Sequence, residues 1–202
     1  MKKASLLIQE IQTHKYNSIF KDVYVDEHLL SYQKERYVQA IEKFISLYGD
    51  QEVEIYSTPG RSEVCGNHTD HQHGEVLAAA INLDIIAVVA PTKETIKVLY
   101  DDYDIQGVNI KDLEKRDQEV ESSEGLIRGV CARYQQLGYK IGGFNAYMTS
   151  DVLQGSGLSS SAAFEVVVGT ILSGLYTNMS INPVTIAQVG QSSENVYFGQ
   201  PC

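Results

Sequence analysis

Cysteine is scarce and its spacing is irregular: Cys65, Cys131 and Cys202 are the only three in 202 residues. An odd count with no zinc-like spacing argues against a disulfide framework and a cysteine-built metal site, and points to free thiols in a reducing compartment. Proline is scarce too, four residues against 16 glycines, in a chain that is 43% hydrophobic and 21% charged. Such a composition excludes the disordered and collagen-like classes. Basic residues are outnumbered 16 to 26, and the formal charge of −10 repels nucleic acid and acidic lipid surfaces at long range. Long apolar runs are missing. After Met1–Ser5 only Leu6, Leu7 and Ile8 precede Gln9, too few for a secretory leader. The longest stretch, Val76 to Ala90, is broken by Asn82 and Asp84 and is shorter than the roughly 20 residues that cross a bilayer. These absences lead us to expect a cytoplasmic protein with no nucleic-acid or membrane partner.

What is present reads as one domain over 1–202, since no repeat, low-complexity tract or Pro/Ser-rich linker divides it. Tyr37, Ile41, Phe44, Ile45 and Tyr48 recur at helical spacing and Gly49 follows, which predicts an amphipathic helix over 31–48. Val53 and Ile55 begin a strand, Pro59-Gly60 predicts a break, and Arg61 to Gly66 predicts a second short strand. Leu83 to Ala90 is almost continuously apolar, the pattern of a strand covered on both faces, with sheet partners at 95–100 and 105–110. The acidic run from Asp101 to Glu124 reads as a solvated surface. A helix is expected from Leu126 to Leu137, a strand over 144–149, an apolar helix over 159–176, and a last helix from Asn182-Pro183 to the chain end. Strands and helices without strict βαβ alternation predict a two-layer α+β fold with a mixed sheet.

Two segments carry the chemistry. Gln154-Gly155-Ser156-Gly157-Leu158-Ser159-Ser160-Ser161 places glycines and hydroxyls directly before a helix, whose first amides lack internal partners and whose dipole favours an anion. It lacks the Lys of the common phosphate loop, and Ser160 stands where the dinucleotide fingerprint needs its third Gly. The bland alternative is that the glycines shape a turn and the serines cap the helix. The second segment, Gly60-Arg61 to His73-Gly74, gathers an Arg, an Asn, three His and an Asp. It reads as a polar turn, as a zinc site of His68, Asp70, His71 and His73, or as a set of partners for sugar hydroxyls, each of which costs about 1 to 3 kcal/mol if buried unpaired.

Together the segments resemble a known family. Pro59-Gly60-Arg61 through Gly74 is similar to the galactokinase signature. Gly155 to Ala163 is similar to the phosphate loop of the wider superfamily of galactokinase, homoserine kinase and mevalonate kinase, and Gly142-Gly143-Phe144 and Glu194-Asn195 extend the likeness. The resemblance runs from about Ser31 onward and implies the N-terminal sugar- and ATP-binding domain of such a kinase, truncated, with its C-terminal domain absent. It implies that Asn67, His68 and Asp70 hold galactose, that Gly155, Gly157, Ser159, Ser160 and Ser161 cradle ATP, that Ser160 and Glu194 hold Mg²⁺, and that Arg61 is catalytic.

Three positions depart from the family pattern. Asn67 stands where the signature has Glu, and Leu153 replaces a proline before the phosphate loop. The Cys-Gly-x-x-Asp stretch that supplies the family's aspartate base is not among the 202 residues. The expectation is therefore a galactokinase fragment that is inactive alone, with a non-catalytic galactose and ATP sensor, or a kinase for a related sugar, as the alternatives.

Overall fold

The computed structural model describes residues 1–66, 74–152 and 157–200. In chain order the elements are β1 (Lys2–Lys3), α1 (Ala4–Gln12), α2 (Asn17–Tyr24), α3 (Leu30–Tyr48), β2 (Glu52–Cys65), β3 (Leu77–Thr92), β4 (Thr95–Tyr100) and β5 (Tyr103–Asn109). They continue with α4 (Ser123–Gln136), β6 (Gly143–Ser150), α5 (Ser160–Thr177) and α6 (Pro183–Ser193). The strands form one sheet in the order β1-β2-β3-β6-β4-β5. β4 runs parallel to β6 and every other neighbouring pair is antiparallel.

The apolar run in β3 shows how the layers arise. Side chains alternate across a strand, so Ile85, Ala87 and Val89 join one core with α4, α5 and α6, while Ile86, Val88 and Ala90 join another with α1, α2 and α3. The expected mixed-sheet α+β architecture is present as the sheet and the α4–α6 layer. The N-terminal helices add a third layer over β2 and β3. Sequence patterning assigns no element to residues 1–30, and β1, α1 and α2 are the finding there. α3 ends on Gly49 at φ +82° with its amide on the Ile45 carbonyl, as expected from the glycine.

The predicted break at Pro59-Gly60 is a correction. β2 runs through it as a single 14-residue strand, with Pro59 opposite Asp84 and a register shift between Pro59 and Arg61. Proline fits because β1 pairs only with Glu52 and Val53; beyond them β2 is an edge strand, where a missing amide costs no ladder bond. β3 is likewise longer than its apolar run, 16 residues, and its first part, Leu77 to Ala80, is exposed and pairs with β2 from Arg61 to Cys65. At the other end, α6 stops at Ser193, short of the chain end. A wider π-helical turn, Glu194–Phe198, then closes on Gly199 at φ +91°.

α5 is the one described helix long and apolar enough to cross a bilayer, but its Val167, Val168, Ile171 and Leu172 are buried in the core beneath the sheet. Cys65 and Cys131 are free thiols.

Candidate functional site

The sheet brings the two chemical segments together. The Arg61 amide on β2 donates to the carbonyl of Leu158, 3.1 Å away, immediately before α5. Gly60 explains how the chains approach so closely. A Cβ there would lie 3.0 Å from that carbonyl and 3.1 Å from both methyls of Val152, so any larger residue would push these neighbours apart by a few tenths of an ångström. Arg61 itself is half-buried, and its Nε is enclosed without a hydrogen-bond partner. An unpaired donor of a permanent cation is a group still available to an anion.

The chain enters α5 through two left-handed residues. Gly157 has φ +75° with open space around it, and Ser159 has φ +58° and ψ +54°. A serine in this region is sparsely populated and costs on the order of 1 kcal/mol or more, strain that is characteristic of ligand-binding turns. Ser159 does not cap the helix: its side chain accepts no first-turn amide, and no acidic residue lies in that turn. The bland capping alternative therefore fails at this residue. The first intrahelical bond runs from Ala163 to the Ser159 carbonyl, 3.0 Å, leaving the amides of Ser160 and Ser161 without helical acceptors and the dipole end unneutralised.

One turn further along α5 lies a group that sequence reasoning missed. Glu165 is only 2% exposed, and it shares a hydrogen bond with Glu194, itself 7% exposed at the start of the π-helical turn. Burial, then the charge of Glu194 and the shared hydrogen bond, push the Glu165 carboxyl up to about 9. Its Oε1 has no partner, and Gly190 on α6 packs against the side chain, a Cβ there falling 3.3 Å from Oε2. The available signal was an acid set in the apolar run Ala162 to Val168. An orphaned buried carboxylate oxygen beside a second carboxylate fits a Mg²⁺ ion, which takes one or two carboxylates together with phosphate oxygens and water.

A cleft of about 780 Å³ is lined by Tyr100, Asp101, Asp102, Glu121, Ser150 and Val152. Val152 thus touches Gly60 on one side and the cleft on the other. Tyr100 is stacked on Phe164 of α5 at 5.7 Å between ring centroids and 8° between planes. Of the expected site residues, the fold brings Arg61, Gly157, Ser159, Ser160 and Ser161 to one place and sets Glu194 against Glu165 on α5. Asn67, His68, Asp70 and Gly155 lie outside the described residues, as do Leu153 and the His71 and His73 of the zinc alternative. Among the described residues, no group of three or more His, Cys, Asp or Glu could hold a metal.

The chain is similar in sequence and fold to known proteins. Residues 42–91 match the galactokinase galactose-binding signature and residues 125–202 match the GHMP kinases N-terminal domain. A galactokinase of Limosilactobacillus reuteri is 30% identical over 169 residues, 80% of this chain and 43% of its own length. That of Lactococcus lactis is 32% identical over 164 residues, 78% of this chain and 40% of its own. The crystal structure of Lactococcus lactis galactokinase complexed with galactose superposes with a TM-score of 0.72 at 30% identity, covering 80% of this chain and 42% of that one. The Methanococcus jannaschii mevalonate kinase shares the fold, with a TM-score of 0.58 at 20% identity over 71% of this chain and 46% of its own. The chain spans about two fifths of the length of the galactokinases it matches.

Proposed function

We propose, from a chain that belongs to the galactokinase family as the N-terminal portion of its relatives, that it carries the sugar- and phosphate-binding half of an ATP-dependent galactokinase. The observation that carries this reading is the Arg61 amide bonded to the Leu158 carbonyl at 3.1 Å. That one contact sets the sugar signature and the phosphate loop side by side, as transfer from nucleotide to sugar requires.

The roles follow from the chemistry. The free amides of Ser160 and Ser161, with Gly155, Gly157 and Ser159 in the turn before them, receive the ATP phosphates. The cleft lined by Tyr100 and Val152 takes the nucleoside. Asn67, His68 and Asp70 hold galactose hydroxyls. The Arg61 guanidinium faces the reacting hydroxyl and offsets charge that grows on the transferring phosphoryl group. Ser160 and Glu194 would hold Mg²⁺, which would supply positive charge to the phosphate groups. Glu165 holds its proton beside Glu194, the residue that would carry the cation. Residues 1–202 hold no Cys-Gly-x-x-Asp stretch, so by themselves they bind without turning over. Free thiols and net negative charge are in keeping with the cytoplasm.

Asn67 in place of Glu favours a second reading on the same site, a kinase for a related sugar or a sugar sensor without transfer. The test is galactose-dependent ADP formation by the full-length protein at saturating MgATP, repeated with galactosamine derivatives and uronic acids. Turnover with galactose is expected. Turnover with a different sugar alone would move the substrate. Tight sugar binding by calorimetry without transfer would make the protein a sensor, and no turnover or binding with any aldose would overturn the kinase.

A further inference from the structure

Away from the phosphate and sugar groups, the molecule buries an ionic cluster that none of the roles above uses. Arg36 on α3 is 6% exposed and Asp84 on β3 is 3% exposed. The Arg36 Nη1 donates to Asp84 Oδ1 at 2.6 Å and lies 3.1 Å from Asp151 Oδ2, while its Nη2 donates to the carbonyls of Asp84 (2.8 Å) and Thr149 (3.1 Å). The other oxygen of Asp84 accepts from Tyr24 on α2 at 2.8 Å and from Ser57 on β2 at 2.5 Å. Asp151 is held a second time: its amide donates to the Asp84 carbonyl at 3.0 Å, and its carboxylate accepts from Tyr32 at 2.9 Å and Gln33 at 3.3 Å. Desolvation works against the charge of Arg36, and the Asp84 carboxylate overrides it, holding the guanidinium above its usual range.

A buried ion pair is weak evidence of stability, because an apolar replacement of the same size often serves as well. What this one does have is a location. Both chains of the site leave from it. Asp151 is followed by Val152, which packs on Gly60, and by the phosphate loop; Ser57 and Pro59, opposite Ile86 and Asp84, are followed by Arg61. The planar fork of an Arg can hold two carboxylates and two carbonyls in fixed directions, which a point charge cannot.

We propose that Arg36, Asp84 and Asp151 are positioning residues for phosphoryl transfer: one guanidinium fixes the entrance of the phosphate loop against the strand that carries Arg61. The proposal rests on the kinase reading above. In such a reaction the protein contributes mainly position and charge, and a displacement of about 1 Å costs on the order of a hundredfold in rate.

The experiment uses the full-length protein and the variant Asp151→Asn, at the partly exposed rim, where Arg36 and Asp84 remain paired. Two quantities are read: kcat with the KM values for MgATP and sugar, and hydrogen exchange of the Arg61 amide, whose acceptor is the Leu158 carbonyl. The variant is expected to lower kcat about tenfold with little change in the KM for sugar, and to speed Arg61 exchange about tenfold while the Val88 and Val89 amides keep their protection. Tyr32→Phe, which removes one bond to Asp151, is expected to move both in the same direction by about threefold. A lower Tm with kcat and Arg61 exchange at wild-type values would reduce the cluster to a structural role and overturn the proposal. Absence of turnover in the wild type would remove the kinase reading, while Arg61 exchange in Asp151→Asn would still decide whether the cluster holds the loop.

Discussion

The two faces of the sheet bury charge in opposite ways. Under α1–α3, Arg36 meets Asp84 and Asp151, and nearly every oxygen in the cluster has a donor. Under α4–α6, Glu165 meets Glu194, two groups of one sign with one oxygen unpartnered. Interiors tolerate a charge when opposite charge and hydrogen bonds satisfy it, and neutralise it by protonation when they do not. The first cluster is balanced in charge and its carboxylates are met, with only the Arg36 Nε left buried without a partner, and it acts as a joint in the scaffold. The second is unfinished, and what would complete it is a cation.

The largest expected effect comes from spoiling the balanced side. Arg36→Met leaves Asp84 buried and unpaired and should cost about 3 to 5 kcal/mol in urea denaturation, whereas Arg36→Met with Asp84→Leu should recover at least half. A single variant as stable as wild type would erase the distinction between the faces.

The unfinished side should behave in the opposite sense. The folded Glu165 carboxyl holds its proton up to about 9, against 4.5 ordinarily. Between those values the folded state binds more protons than the unfolded one, so this group's contribution is complete below pH 4.5 and is lost as pH rises through about 9. Glu165→Gln, permanently neutral, should flatten the decline of Tm across that window and raise Tm at its alkaline end. Added Mg²⁺ should relieve the same decline in wild type, and should not do so in Glu194→Gln. A wild-type Tm that is level across the window would contradict the like-charge pairing.

The smallest effect serves as a control at a residue that belongs to neither cluster. Ser122 caps α4 by accepting from the Gly125 amide at 3.1 Å, and Ser122→Ala should cost about 1 kcal/mol without altering the pH profile of Tm.

How much of this was legible beforehand depended on range. Glycine at 49, proline at 183 and the apolar run from Leu83 to Ala90 act on their immediate neighbours, and helices and strands lie where they indicate. Pro59-Gly60 misled because its local signal of a break is overruled by β3, which pairs with β2 on both sides of it. Arg36 and Glu165 were invisible as buried groups for a related reason. Arg36 lies in a helix whose periodicity places it among polar neighbours, and its partners Asp84 and Asp151 are 48 and 115 residues away. Glu165 could be flagged as an acid among apolar residues, but its partner lies on another helix end.

The sequence alone determined the chemistry on offer: a glycine-serine turn before a long helix, an arginine before a polar cluster, and a net negative chain with few thiols. Residue type and short spacing suffice for that, because amides, hydroxyls and charges keep their character wherever they are placed. Only the tertiary structure decided that Arg61 and Leu158 touch, that one arginine joins three segments, and that two glutamates are buried side by side. Each of those depends on sheet register and helix packing, which bring distant residues within about 3 Å, the distance over which a hydrogen bond acts.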